Sequence, residues 1–283
     1  MKANSKILSV NNLSCTIYKS EAEKFIDQFV LAPISFDLLN YETIGFVGES
    51  GSGKTTLGRL ITGALQSIDS KERRIVIDGN IEYMMKHNYR EPINRKRLNY
   101  PIQMIYQDPK VALNEFMRVR SQIEETAIIG YEKVQTELAR DDWVLNEVNE
   151  LLNILMLRDI ENHYPFVMSG GQVRRLGIAR VLAVQPQIII ADEPTASLDA
   201  STKNMVLDYL SKFTNQRKMR GLPMGTIIIS HDLETISRYC DKVIVLEKGK
   251  LVEVLNKDSK DSFHPKENFT KKLWDDNAYF TRV

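Results

Sequence analysis

Gly48-Glu49-Ser50-Gly51-Ser52-Gly53-Lys54-Thr55 decides how this chain is read. Two glycines stand five apart and are followed by Lys-Thr, the pattern of a phosphate-binding loop. The segment before it, Thr43-Ile44-Gly45-Phe46-Val47, is short and apolar and reads as a buried strand. Thr56 to Ile61 reads as the first turns of a helix. Glycines let the backbone curl so that several N–H groups face an anion. A helix N-terminus adds partial positive charge. Lys54 then reaches the β and γ phosphates, and the Thr55 hydroxyl lies on Mg²⁺. The plainer alternative is a glycine-rich turn with a solvated lysine. The strand before and the helix after favour the cradle, and with it a nucleoside triphosphate.

The rest of the composition narrows the class. A chain of 283 residues accommodates one large α/β domain or two small ones, with ample core. Apolar residues make up 43% and charged residues 27%, as in ordinary soluble globular proteins. The net charge of +1 gives no support to a nucleic-acid or membrane-surface role. The local basic clusters Lys71-Glu72-Arg73-Arg74 and Arg95-Lys96-Arg97 read as solvated faces rather than binding patches. The two cysteines, Cys15 and Cys240, form no CxxC pair, which argues against a metal or iron–sulfur site. A disulfide between them stays open, with two reduced, buried thiols the favoured reading. Met1 to Lys6 is followed by a strand-like mix, not the apolar core of a secretory signal. No run approaches the ~18 apolar residues of a membrane span. The chain is expected in the cytosol; any membrane-spanning part belongs to another chain.

Along the chain, Ile7 to Val30 and Ile34 to Leu39 suggest short strands. Arg74 to Ile81 looks like a hairpin turning at Asp78-Gly79. From Ala112 to Leu157 the spacing becomes helical, with Glu124, Glu125, Glu137, Arg140, Asp141 and Asp142, and reads as an inserted helical subdomain. Gly170 to Val184 and Asn204 to Phe213 are predicted helices. Gln187–Ala191, Thr226–Ile229 and Asp241–Glu247 are short apolar strands of the kind buried on both faces. Strands alternating with helices argue for a parallel sheet. Asn215 to Gly225, with two glycines and a proline, reads as a surface loop, and the tail after Val254 is weakly patterned.

Several strand ends carry chemistry. Ile188-Ile189-Ile190-Ala191 ends in Asp192-Glu193, and parallel sheets collect ligands at strand carboxyl ends. Asp192 there can hold the Mg²⁺ shell, and Glu193 can accept a proton from an attacking water. Two acids capping the next turn are the plainer alternative; the phosphate loop tips the balance to function. Ser169-Gly170-Gly171-Gln172 fits a capping box, Ser169 as N-cap and Gln172 reaching back. Two glycines in that first turn weaken the helix by about 1 kcal/mol each, so a ligand or another backbone is expected close by. Gln107, at the end of Met104-Ile105-Tyr106, and His231, after Ile227-Ile228-Ile229-Ser230, are polar residues at strand ends. Such residues are commonly just satisfied surface or core groups; here both fall on the edge that carries the phosphate loop.

Together these segments resemble an ATP-binding cassette (ABC) ATPase over nearly the full length. Phosphate loop, Gln107, Ser169-Gly170-Gly171-Gln172, Asp192-Glu193, Ser197-Leu198-Asp199 and His231 occur in that family's order and at its spacing. The resemblance implies an α/β fold: a P-loop (RecA-like) core with a mainly parallel sheet, an N-terminal antiparallel β subdomain and an inserted α-helical subdomain. The core would take residues 1–107 and 173–283, and the helical subdomain with the signature motif residues 108–172. It implies ATP and Mg²⁺ as ligands and two subunits sandwiching two ATPs head to tail. Gly48, Ser50, Gly51, Gly53, Lys54, Thr55 and Thr56 would surround the phosphates, with Thr55 on Mg²⁺. Gln107 would sense Mg²⁺ and the γ-phosphate, Asp192 would support the metal, Glu193 would be general base, and His231 would meet the γ-phosphate. Ser169 and Gly171, with Gln172 in the same motif, would reach the ATP of the partner subunit, and Asp199 would lie at the dimer seam. Tyr18 is the candidate for stacking on adenine, a plain strand residue being the alternative.

A finer likeness is to the ATPase subunits of oligopeptide, dipeptide and nickel importers. It rests on Gly48 to Thr56, Gln103 to Pro109, Ala112-Leu113-Asn114 and Ile190 to Thr195, with a faint echo in His264-Pro265 and Phe269-Thr270-Lys271. Met168 replaces the usual leucine before the signature serine, a volume-matched swap. Glu115 stands where proline is common, Val173 where a basic residue is common, and the C-terminal cysteine cluster of some members is absent. The implied partners are a second ABC ATPase subunit, identical or related, two membrane-spanning permease subunits and a solute-binding protein. The implied place is the cytoplasmic face of the cell membrane. Rival readings are an exporter ATPase, an ABC ATPase acting on nucleic acid or translation, and a non-hydrolysing cassette. The last is disfavoured by Glu193 and His231.

Overall fold

The computed structural model describes residues 5–21, 24–70, 73–84, 90–92, 101–134, 136–196 and 198–278. In chain order the elements are β1 (Lys6–Glu21), β2 (Lys24–Leu39), β3 (Thr43–Val47), α1 (Lys54–Ile61), β4 (Ile68–Asp69), β5 (Arg73–Met84), β6 (Arg90–Pro92) and β7 (Ile102–Ile105). Then come α2 (Val119–Tyr131), α3 (Arg140–Ile154), α4 (Gly170–Ala183), β8 (Ile188–Asp192), α5 (Ala200–Met219), β9 (Gly225–Ile229), α6 (Leu233–Tyr239), β10 (Lys242–Glu247), β11 (Lys250–Asn256) and α7 (Asn268–Ala278). Two compact units result, one within Met1–Asn99 and Arg217–Val283, the other within Tyr100–Gln216. Lys71-Glu72 of the first basic cluster, the whole of Arg95-Lys96-Arg97, and Ser197 lie outside the described residues, while Arg73 and Arg74 begin β5.

In the first unit, β10, β3 and β9 are parallel neighbours, with β11 added antiparallel to β10. Their apolar runs are buried throughout the centre: Ile44, Phe46, Val47, Ile227, Val243 and Ile244 are all fully enclosed. A strand covered on both faces needs such an unbroken run. The same unit holds an antiparallel sheet in which β1 pairs with β2 on one side and β5 on the other. The Ile7–Val30 stretch is therefore not a set of short strands. It forms nearly all of β1 and the first part of β2, strands 16 residues long each, with bulges that break the alternation.

Arg74 to Ile81 is likewise not a hairpin. It lies inside the single strand β5, which pairs with β1 on both sides of Gly79. The register passes from Asn11↔Asn80 to Ser14↔Asp78, so two β1 residues oppose Gly79. That is a β-bulge. Gly79 has φ 92, and a Cβ there would fall 2.3 Å from the carbonyl oxygen of Asn12. The glycine marks a close backbone approach within a sheet, a signal easily mistaken for a turn.

The second unit contains the parallel pair β7–β8 and the helices α2, α3 and α4, which pack on one another through Val119, Ile123, Ala127, Val148, Leu151, Leu152, Leu176 and Leu182, all buried. The expected helical stretch from Ala112 to Leu157 is thus two helices, α2 and α3. Helix α5 runs further than expected, to Met219, so only the end of the Asn215–Gly225 stretch is a loop. The Gly221 N–H bonds the Lys218 carbonyl and the Leu222 N–H that of Arg217, with Gly221 at φ 65. This is the glycine-terminated helix end of a Schellman motif. The tail after Val254 is also more regular than its pattern suggests, since it completes β11 and forms α7. Cys15 and Cys240 are both buried and not joined in a disulfide. Among the described residues no helix is long and apolar enough to cross a membrane.

Candidate functional site

The phosphate loop joins β3 to α1 in the first unit. Gly48, Gly51 and Gly53 have φ 144, 78 and 103, which keeps the backbone in a tight curl. Gly53 is the N-cap of α1 and offers no side-chain cap, and the first turn holds no acidic residue. The positive end of the helix is left for a ligand to neutralise. Lys54 is buried, and its Nζ donates to the carbonyl oxygens of Gly48 and Glu49, both at 2.8 Å, and to Ser52 Oγ at 3.3 Å. Gly51 faces open space. The curl is walled by Phe29 and Leu31 of β2 against Gly53, and by the Leu246 carbonyl against Gly48. The Ser52 carbonyl accepts the Gly249 N–H at 3.1 Å, and the Gly249 carbonyl accepts the Ala32 N–H at 2.8 Å.

His231 is exposed and follows β9, which runs parallel to β3 with Ile229 opposite Phe46. Both strands deliver their next residues to the same sheet edge, so His231 and the loop share it. Asp232 fixes the turn after His231 by capping α6, accepting from the N–H groups of Glu234 and Thr235. Tyr18 is half-buried on β1 with the Arg74 guanidinium 5.9 Å from its ring centre. Phe29 is the aromatic residue touching Gly53, and the sequence pattern did not single it out: it sits in the apolar run Phe29-Val30-Leu31 with no periodic mark of its own.

In the second unit, β7 and β8 run parallel with Ile105 opposite Ala191, which puts Gln107, Asp192 and Glu193 at one edge. Asp192 is buried at 2% exposure, and Gln107 is exposed. Glu193 is half-buried with φ 47, a left-handed conformation unusual for a residue with a side chain. Its carbonyl accepts from Arg174 Nη1 at 2.5 Å and from the Ala196 N–H at 3.2 Å. Arg174 Nη2 donates to the Gln107 carbonyl at 2.7 Å. Burial lowers the Arg174 guanidinium from its ordinary value, and the carboxylates of Glu193, Asp108 and Asp192 pull it back up. Arg174 was not singled out in the sequence either. Its helix reads there as an apolar stripe, in which a buried arginine looks like one more surface charge.

The capping box at the start of α4 is formed. Ser169 Oγ accepts from the Gln172 N–H at 3.3 Å, and Gln172 Oε1 accepts from the Ser169 N–H at 2.9 Å. A Cβ on Gly171 would stand 3.4 Å from Leu198, so the glycine-rich turn lies beside the Leu198-Asp199 segment. Asp199 caps the start of α5: its carboxylate accepts the Thr202 hydroxyl at 2.6 Å and the Thr202 N–H at 3.0 Å, and these bonds hold its pKa below the ordinary value.

A nucleotide-binding curl at a helix start, an acidic strand end and a capped glycine-rich helix in one chain are the parts of an ATP-binding cassette, and the chain belongs to that family. The family model described as ABC transporter matches residues 31–196. Among curated proteins the chain is 36% identical over 271 residues to the oligopeptide transport ATP-binding protein OppF of Streptococcus mutans, covering 95% of this chain and 80% of that one. It is 34% identical to the dipeptide transport ATP-binding protein DppF of Lactococcus lactis, with the same two coverages, and 37% identical over 246 residues to OppF of Bacillus subtilis, covering 85% and 73%. Among solved structures, the ATP-binding cassette MJ0796, seen as a dimer bound to ADP and Pi, matches with a TM-score of 0.68 at 23% identity, covering 88% of this chain and 98% of that one. The cbiO1 structure from Clostridium perfringens matches with a TM-score of 0.63 at 22% identity, covering 98% and 94%. These likenesses give the fold.

Proposed function

We propose that this chain is the ATP-hydrolysing subunit of a peptide importer, working at the cytoplasmic face of a membrane with separate membrane-spanning subunits. The single observation behind this is the 36% identity, over 95% of the chain, to an oligopeptide transport ATP-binding protein. The Lys54 cradle and the uncapped start of α1 fit the triphosphate it requires. Among the described residues no group of three or more His, Cys, Asp or Glu could hold a metal ion alone. That fits Mg²⁺ carried largely on phosphate oxygens and water, with few protein ligands.

In this reading Gly48, Ser50, Gly51, Gly53, Lys54 and Thr56 bind and orient the phosphates, and Thr55 and Asp192 would hold Mg²⁺. Held there, Mg²⁺ would supply neutralisation of charge on the transferring phosphate. Glu193 takes the proton of the attacking water. Gln107 and His231 orient the γ-phosphate. Ser169, Gly171 and Gln172 serve the ATP of a second cassette, with Asp199 at the seam, and residues 108–172 form the helical subdomain that carries them. ATP that bridges two cassettes binds their closed arrangement better than the open one, and that difference shifts the population. Hydrolysis removes the bridge.

Purification of the chain from its own cells tests the proposal. Two membrane-spanning chains and a second ATPase chain should co-purify, and vesicles holding the complex should accumulate a labelled oligopeptide with ATP and not with a Glu193→Gln subunit. Absence of membrane chains, or turnover stimulated by nucleic acid and not by peptide, overturns it.

A further inference from the structure

We infer that Arg174 is a positioning residue for ATP turnover, its guanidinium holding the turns that carry Gln107 and Glu193 in one fixed arrangement. The inference rests on the assignment of those two residues to the ATP site.

Arg174 lies in the second turn of α4 and is 7% exposed. One arm of its fork reaches the Glu193 carbonyl at 2.5 Å and the other the Gln107 carbonyl at 2.7 Å. A planar fork with fixed donor directions can span two acceptors, whereas the single ammonium of a lysine acts as a point charge. Both acceptors are backbone carbonyl oxygens, so the arginine sets where each turn sits.

Each turn needs such a tie. Glu193 is held at φ 47, a conformation costing on the order of 1 kcal/mol or more that persists only where neighbours enforce it. The Ala196 N–H and the Arg174 guanidinium both donate to its carbonyl. Beyond Gln107 the chain turns into the short helix Pro109–Ala112, capped by Asp108 through the Lys110 N–H at 3.0 Å. Helix α4 grips that helix twice more. Gly177 comes so close that a Cβ would stand 3.1 Å from Pro109, and Arg180 donates to the Ala112 carbonyl. Arg174 is the one of these grips that also reaches the acidic strand end. The face of α4 that leads back to Ser169 thus fixes the proposed water activator and the proposed γ-phosphate sensor through one side chain.

The test is steady-state ATP hydrolysis by the purified full chain, comparing wild type with Arg174→Met, Arg174→Lys and Glu193→Gln, alongside ATP affinity and thermal unfolding. Methionine keeps the apolar stem and removes the fork. The expected result is kcat lowered about tenfold or more in Arg174→Met, with KM for ATP and ATP affinity within about twofold of wild type. Arg174→Lys should recover part of the loss. The inference is overturned by a folded Arg174→Met chain with wild-type kcat, by a rise in KM that accounts for the loss, or by a loss that disappears at a temperature where all variants are folded. Wild-type turnover in Glu193→Gln would instead sink the site assignment beneath it; an inactive Glu193→Gln beside a fully active Arg174→Met would sink the inference alone.

Discussion

The ring of Phe29 rests against the backbone of Gly53, so closely that a Cβ on the glycine would lie 2.9 Å from Phe29 Cζ and 3.0 Å from Leu31 Cδ1. Gly53 also sits at φ 103, where a side chain is strained regardless of space. Gly53→Ala should therefore distort the start of α1 and weaken ATP binding by about tenfold or more, roughly 1.4 kcal/mol or above. Nucleotide titration of the folded variant checks this. Phe29→Ala in the same background should recover part of the affinity by clearing the contact.

Glu193→Gln is expected to bind ATP as the wild type does and to lose about 10²–10⁴ in turnover, the usual span for a positioned general base. Glu193→Gly should lose turnover similarly, yet keep a Tm at or above that of wild type, because φ 47 is comfortable for glycine. Paired ATPase and thermal-melt measurements read both effects, and a Tm several degrees lower in Glu193→Gly would contradict the strain argument.

Ser169→Ala removes the side-chain acceptor of the Gln172 N–H, and N-cap losses of this kind cost about 1 kcal/mol. Ser169→Asp keeps an acceptor there and should restore the stability. Under the proposed function it should not restore turnover, since a carboxylate at the position proposed to meet the γ-phosphate of a second cassette would repel it. Denaturant unfolding and ATPase assays of the two variants separate capping from nucleotide contact.

Gly79→Ala tests the bulge in β5. The added Cβ meets the Asn12 carbonyl at 2.3 Å in a backbone with φ 92, and a destabilisation of about 2 kcal/mol or more is expected by urea unfolding. A hairpin tip at this position would tolerate the change far better.

The parts of the chain that were legible in the sequence were those where one local rule dominates. Thr43–Val47 and Ile188–Asp192 are enclosed on both faces, so their apolar runs are unbroken and easy to read. The Ser169–Gln172 box carries its own hydrogen-bond logic within four residues. The long strands β1 and β2 were obscured because bulges at Asn11–Ser14 and elsewhere shift the alternation between faces. Asp78-Gly79 and Gly221 both looked like turn signals. One serves a bulge and the other ends a helix, and only the partner strand or the preceding carbonyls tell which. Arg174 and Phe29 were invisible for a further reason. Their importance lies in what they touch, at 67 residues' separation for Arg174 and Gln107, and no short-range pattern encodes that.

The tie from Ala32 through Gly249 to Ser52 joins three segments made at very different times on the ribosome. A nascent chain that has emerged only as far as α6 already contains every residue of the glycine curl, but it lacks the backbone that buttresses it from behind. The buttress behind the curl can therefore close only once Gly249 itself has been made.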